Sequence, residues 1–384
     1  MISKRVRDFP FSGIREFFEL VQKAEDVISL GVGEPDFPTP EHIKDAGIRA
    51  IENNHTSYTS NYGLPELRES IAAKLREQNN VEVDPETEVL ITSGVSEALD
   101  LALRAIINPG DEVIIHEPSY VSYRASIWFS GGSPVEVSTR EDNGFRVQPE
   151  DLRDAISDKT KALLIASPNN PTGSVLRRRD LEEISDIAVE NDLLVLSDEI
   201  YEYMIYDKEK HYSIGSLNGM GDRTITLNGY SKAFSCTGWR MGYAAGRKDY
   251  IESMMKIHQY TMLCAPSIAQ YALLTAFEHM DSVERMVRSY DTRRRLLVDG
   301  LNSLPDVSCI KPKGAFYAFP NITKTGFSSR EFAEKLLADA GVAVVPGDTF
   351  GASGEGYVRC CYAASREDLS EALERMDSFL TKQK

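Results

Sequence analysis

Lys232 and Arg240 lie in the stretch LNGYSKAFSCTGWRMGYAAG, among small, aromatic and glycine residues that read as buried. A lysine held among desolvated small residues is the type that forms Schiff bases. An arginine beside a glycine turn can grip a phosphate through two parallel hydrogen bonds, or serve an ordinary salt bridge. A phosphate-bearing aldehyde would use both cations. The rest of such a site can be sought elsewhere in the chain. In TSGVSEALDLAL, Gly94, Val95 and Ser96 stand where a helix begins. They form either a simple glycine-capped start or an anion cradle of orphan amides, helix dipole and hydroxyl. Asp198, in SDEIY, can cap a helix or hold a proton on a pyridine nitrogen, and Tyr201 can donate its phenol to a ring oxygen. Asn170, in NNPTG, is a turn residue or a ligand to the same ring.

These residues need a scaffold that brings them together. From about Glu88 to Gly246 the chain alternates short β-branched runs (EVLIT, DEVIIHE, KALLIAS, LLVLS, TITLN) with helix-period segments. Strands that are apolar throughout, separated by helices, predict an α/β domain with a mostly parallel sheet covered on both faces. Ser96, Asn170, Asp198 and Lys232 each fall just at or past a strand's carboxyl end, the edge where open α/β sheets bind ligands. After a long charged helix near Asp281–Leu304, short strands mix with helices, which predicts a smaller α+β domain. The expected division is an N-terminal segment 1–40 joining the small domain, a large domain 41–285 and a small domain 286–384.

Composition narrows the functional classes. With 59 acidic and 43 basic residues among 384, the formal charge is −16, which opposes nucleic-acid and anionic-membrane binding. The five cysteines show no Cys-x-x-Cys spacing, and the six histidines show no metal-ligand spacing. No signal peptide or membrane-length apolar run is evident, so a cytoplasmic protein is expected.

The motifs SPNNPTG, SDEIY, NGYSKAFSCTGWRMGY, GAFY and VAVVPG…GYVRCCYA, in this order, resemble those of class I aminotransferases, pyridoxal-phosphate enzymes of fold type I. The resemblance runs from about ISLGVGEPDFPTP to the last helix, closest to the prokaryotic aspartate and archaeal aromatic subgroup. It implies pyridoxal 5'-phosphate as cofactor, bonded by Lys232 and partnered at its ring nitrogen by Asp198. It places Asn170 and Tyr201 on the ring hydroxyl, Tyr120 on the ring face, and Gly94, Val95, Ser96 and Arg240, with Ser231, at the phosphate. Arg359 would grip the substrate α-carboxylate, with the Gly33 backbone closing over it. Tyr58 would reach the phosphate of a neighbouring subunit, implying a homodimer.

The expected reaction is a ping-pong transfer of an amino group from an amino acid to a 2-oxo acid, 2-oxoglutarate being the expected acceptor. Serine at 96, where related aspartate enzymes often carry lysine, favours an aromatic or broad-range donor. The apolar run FSGIREFF (Phe11, Ile14, Phe17, Phe18) could form a lid over a large side chain, or an ordinary packed helix, and Arg15 could meet a distal carboxylate. An aspartate-specific enzyme or a carbon–sulfur β-lyase on the same scaffold are the alternatives. A DNA-binding regulator would need an added module where the resemblance leaves no room. A dinucleotide oxidoreductase would need a G-x-G-x-x-G that is missing. The run Arg293–Arg295 is expected to be a solvated helix face.

Overall fold

The computed structural model describes residues 1–11, 13, 21 and 26–383. The proposed lid residues Ile14, Phe17 and Phe18, and Arg15, lie outside the described residues, while Phe11 is exposed. The strands run β1 (Ile28–Ser29), β2 (Val89–Thr92), β3 (Glu112–Glu117), β4 (Ser133–Ser138), β5 (Thr160–Ala166) and β6 (Leu194–Asp198). They continue with β7 (Thr224–Gly229), β8 (Gly242–Gly246), β9 (Tyr317–Ala318), β10 (Val342–Ala343), β11 (Val345–Pro346) and β12 (Val358–Cys361).

Seven of them form one sheet in the order β2-β8-β7-β6-β5-β3-β4. All neighbours are parallel except at β8, which runs against both β2 and β7. Strands β2 and β7 therefore point the same way as β5 and β6, and the carboxyl ends of all four share one edge. Side chains alternate across the pleat, and both faces are covered. Leu163, Ile165 and Val195 pack with Leu181, Ile184 and Ile187 of the Arg178–Glu190 helix. Leu164, Leu196 and Leu227 pack on the other face with Leu99 and Leu103 of the Val95–Ile106 helix and with Ile251 and Met254. Burial on both sides is why these strands read as unbroken apolar runs. Each such side chain contributes about 2 kcal/mol of transfer free energy.

The later strands make a three-stranded antiparallel sheet, β11-β12-β9, and β1 pairs in parallel with β10. The Asp281–Leu301 helix joins the two parts. Its Val283 packs in the large-sheet core around Ile91 and Tyr243, and its Tyr290, Leu297 and Leu301 pack in the core around Phe316 and Tyr362. The division expected at 285/286 thus falls inside one continuous helix.

That helix overturns one expectation. Arg294 is not solvated: it is fully buried, donating to Asp207 at 2.7 and 3.0 Å, to Asp291 and to the Pro312 carbonyl. Arg293 is largely covered too, bound bidentately to Asp36 at 2.7 and 2.8 Å and resting over Phe37. Only Arg295 faces water. Three arginines in a row on a helix diverge by about 100° each, so adjacent ones meet different surroundings.

Candidate active site

The shared sheet edge opens into a cavity of about 480 Å³. Gly33, Val95, Ser96, Tyr120, Asn170, Asp198, Tyr201, Ser231, Lys232, Arg240 and Arg359 all line it, so residues scattered through the sequence converge. Gly94 lies beside it, and Tyr58, 82% exposed, does not reach it.

Lys232 lies in the turn that follows β7, two residues after Tyr230, which is anchored in the core. Its Nζ donates to the Gly33 carbonyl at 2.7 Å. Burial lowers its pKa to about 8, and the Arg359 and Arg240 charges add to the effect. Near pH 7 the cation still predominates, but the neutral, nucleophilic amine is far more populated than in an ordinary lysine.

Asp198 ends β6. It caps no helix; its Oδ1 accepts the Ile200 N–H at 3.1 Å, and its Oδ2 accepts the Tyr123 hydroxyl at 2.7 Å. Burial raises its pKa to about 6, resisted by those two hydrogen bonds. Tyr201 meets Tyr317 hydroxyl to hydroxyl at 2.8 Å, and burial pushes both phenols up.

Arg359 sits in β12, held on both sides by protein. Its Nη1 donates to Asn170 Oδ1 at 3.0 Å and its Nη2 to the Gly31 carbonyl at 2.6 Å. The guanidinium lies 4.6 Å from the Tyr317 ring centre and 4.9 Å from that of Phe350. Its Nε is buried without a hydrogen-bond partner. A buried, unpaired charged donor is costly unless a ligand supplies the acceptor, and a carboxylate suits a guanidinium.

At the other end, Val95 and Ser96 open a helix at positions whose amides have no partner within it. Gly94 has φ +78°, and a Cβ there would come within 2.7 Å of Arg240 Nη2. Gly242 of β8 is equally necessary, since its Cβ would meet the Val95 nitrogen at 2.6 Å. The two glycines let the strand, the helix start and the guanidinium close to a cradle that side chains would otherwise fill. Arg240 itself adopts a left-handed backbone, φ +53°, and its Nη1 donates to the Thr237 carbonyl at 3.1 Å. Anion cradle, low-pKa amine, buried carboxylate and phenol are the donor set a phosphorylated pyridine aldehyde requires, so the residues present fit pyridoxal 5'-phosphate.

Sequence reasoning missed Tyr123, Tyr317 and Gly31. Tyr317 lies in GAFY, which reads as a plain strand, and the one available signal was a tyrosine amid otherwise apolar residues. Behind Asp198, one ligand atom each from Glu199, Glu202 and His211 lie within 4.8 Å of one another, a spacing that could admit a metal ion. Protein donors already serve these carboxylates: Lys74, Asn79 and Asn228 bind Glu202, and Ser197 and Ser213 bind Glu199. The trio reads as a buried ion-pair network supporting the Asp198 strand end. Among the described residues no helix is long and apolar enough to cross a membrane.

Residues 25–376 match the family model for aminotransferases of classes I and II. The chain is 50% identical over 376 residues to an aspartate aminotransferase of Pyrococcus abyssi, covering 97% of this chain and 96% of that one. It is 46% identical over 386 residues to the aromatic-amino-acid aminotransferase 2 of Thermococcus litoralis, covering 100% and 99% of the two chains. The solved aromatic aminotransferase of Pyrococcus horikoshii OT3 superposes with a TM-score of 0.92 at 48% identity, over 96% of this chain and 99% of that one.

Proposed function

Because the chain belongs to the class I and II aminotransferases, a family that works with pyridoxal 5'-phosphate, we propose that its cavity binds this cofactor. In this reading it moves an amino group from an aromatic or broad range of amino acids to a 2-oxo acid, 2-oxoglutarate first, in two alternating half-reactions. The observation that carries the reading is the convergence of Lys232, Asp198 and Arg359 on one cavity, with the lysine's pKa lowered.

When bound, the cofactor supplies an aldehyde and a cationic ring that withdraws electrons from the substrate α-carbon. Lys232 would hold the aldehyde through Nζ and, once freed by the incoming amino group, would take the α-proton on Nζ and deliver it to the former aldehyde carbon rather than back to the α-carbon. Asp198 holds the ring proton. Asn170 and Tyr201 hold the ring hydroxyl, Tyr120 covers a ring face, and Gly94–Ser96, Ser231 and Arg240 hold the phosphate. Arg359 binds the α-carboxylate and so fixes which bond at the α-carbon breaks.

The donor preference rests on the cavity wall. Beyond the three cations already engaged, the wall offers Tyr120, Val121, Ile200 and Tyr317, which favour a large or neutral side chain. The aspartate reading draws support from the aspartate aminotransferase relative. A homodimer, with Tyr58 serving the partner's phosphate, and the division at residues 40 and 285 belong to the same proposal.

An absorbance spectrum of the purified protein, repeated with single amino acids and no oxo acid, tests it. The reading expects a visible imine band that borohydride fixes on Lys232, and bleaching by tyrosine, phenylalanine or glutamate. Bleaching by aspartate alone would favour the aspartate alternative. Release of ammonia and pyruvate would favour a lyase, and a protein that takes up no pyridoxal phosphate would overturn the site.

A further inference from the structure

Both oxygens of Asp198 are engaged by this chain itself, one by the Ile200 amide and one by Tyr123. Tyr123 stands in the first turn of the Ser122–Ser130 helix, after β3, and is 3% exposed. Its ring packs edge-on against Tyr120 at 5.7 Å. Burial and the neighbouring Asp198 charge push its phenol far above the ordinary range, so it keeps its proton and donates it to the carboxylate in a hydrogen bond. A charged acceptor makes this one of the stronger hydrogen bonds a protein forms.

The groups around Asp198 divide by sign. Tyr123, the Ile200 N–H and the Lys232 cation favour its ionised form, whereas burial and the Glu199 carboxylate oppose it. Tyr201, on the cavity side, is coupled to the same charge. Burial outweighs the favourable groups, and among those Tyr123 supplies the largest contribution.

We propose that Tyr123 is a positioning residue for amino transfer: its hydroxyl fixes Asp198 as an ionised carboxylate in one orientation, ready to hold a ring proton. This rests on the cofactor reading above. No proton moves to or from Tyr123. It fixes one oxygen and leaves each oxygen of Asp198 a further lone pair for the ligand.

Tyr123→Phe, Asp198→Asn and the double variant, stripped of cofactor, are titrated with pyridoxal phosphate and their spectra followed against pH. The phenylalanine keeps the ring volume, and thermal unfolding of each ligand-free variant checks the fold. Tyr123→Phe is expected to weaken binding about tenfold or more, the effect of losing a hydrogen bond to a charge, and to shift the spectral midpoint. In the Asp198→Asn background the same change should add less than about twofold, because its target is gone. Wild-type affinity and spectrum in Tyr123→Phe would overturn the inference, as would an equal loss in both backgrounds, which marks packing alone. If the wild-type protein itself takes up no pyridoxal phosphate, the site reading fails first, and the wild-type titration separates the two failures.

Discussion

The hydroxyls of Tyr201 and Tyr317 meet at 2.8 Å, joining the loop after β6 of the large sheet to β9 of the small one. The Gly33 backbone presses on the same point, where an added Cβ would lie 2.5 Å from Tyr317 Oη. Gly33→Ala should therefore push Tyr317 away from Tyr201 and lower kcat/KM by about tenfold to a hundredfold, as displacements near 1 Å do. Tyr317→Phe removes the obstructing oxygen, so the double variant should outperform Gly33→Ala alone. Steady-state kinetics on the three variants decide it, and simple additivity would refute the steric account.

Asp198 costs the ligand-free protein stability. Its folded pKa of about 6 lies above the ordinary 3.8, so the folded state holds the extra proton between those values. Stability therefore falls as pH rises through that window, and the penalty is complete above it. Lys232, lowered from 10.5 to about 8, behaves oppositely: its penalty is full below about 8 and fades toward 10.5. Asp198→Asn should stabilise the ligand-free protein by on the order of 1–3 kcal/mol above about pH 7, with the gain vanishing toward pH 4. Urea unfolding across pH tests this, and a gain independent of pH would sink it.

Arg294 is buried against Asp207 and Asp291, whereas its neighbour Arg295 is exposed. Arg294→Met leaves Asp207 with Lys313 and Asp291 with Arg295 but removes the buried cation between them and the donor to the Pro312 carbonyl, and should cost about 3 kcal/mol. Arg295→Met should stay within about 0.5 kcal/mol. Comparable losses in urea unfolding would contradict the burial argument.

Tyr58 is expected to act across a dimer. On that proposal Lys232→Ala and Tyr58→Phe should each impair their own homodimers. In a hybrid of the two, one site combines the intact lysine with the intact tyrosine from the other chain. Mixing the two in equal amounts and refolding should then restore about a quarter of all sites, since about half the dimers are hybrids and each hybrid has one intact site of two across the two-fold axis. Absence of any restored cofactor affinity would place Tyr58 in its own subunit or outside the site.

Much of this arrangement was legible in the sequence because apolar strands announce their own ends. Asp198 and Lys232 stand out where a buried run stops, and the sheet then does the assembling. Tyr123 could not be read that way. Within EPSYVSYRAS it is one more aromatic on a helix, and its partner lies on another strand. Arg293 and Arg294 misled for a related reason: a charged helix face is ordinarily solvated, and nothing local shows that Asp36 and Asp207 arrive to pair with them. Periodicity tells which face a residue occupies, and topology alone tells what meets it.

The pairing of β8 between β2 and β7 bears on how the protein comes into being. On the ribosome the large sheet can close once Gly246 has emerged, setting Lys232 beside Asp198. Ile28 must wait for Val342, and the Gly31 carbonyl for Arg359. Chains grow far more slowly than local structure forms, so this order leaves a real interval. If Lys232 and Arg359 serve as proposed, the nascent enzyme sets its amine beside Asp198 before Arg359 docks, and maturation ends with the grip on substrate.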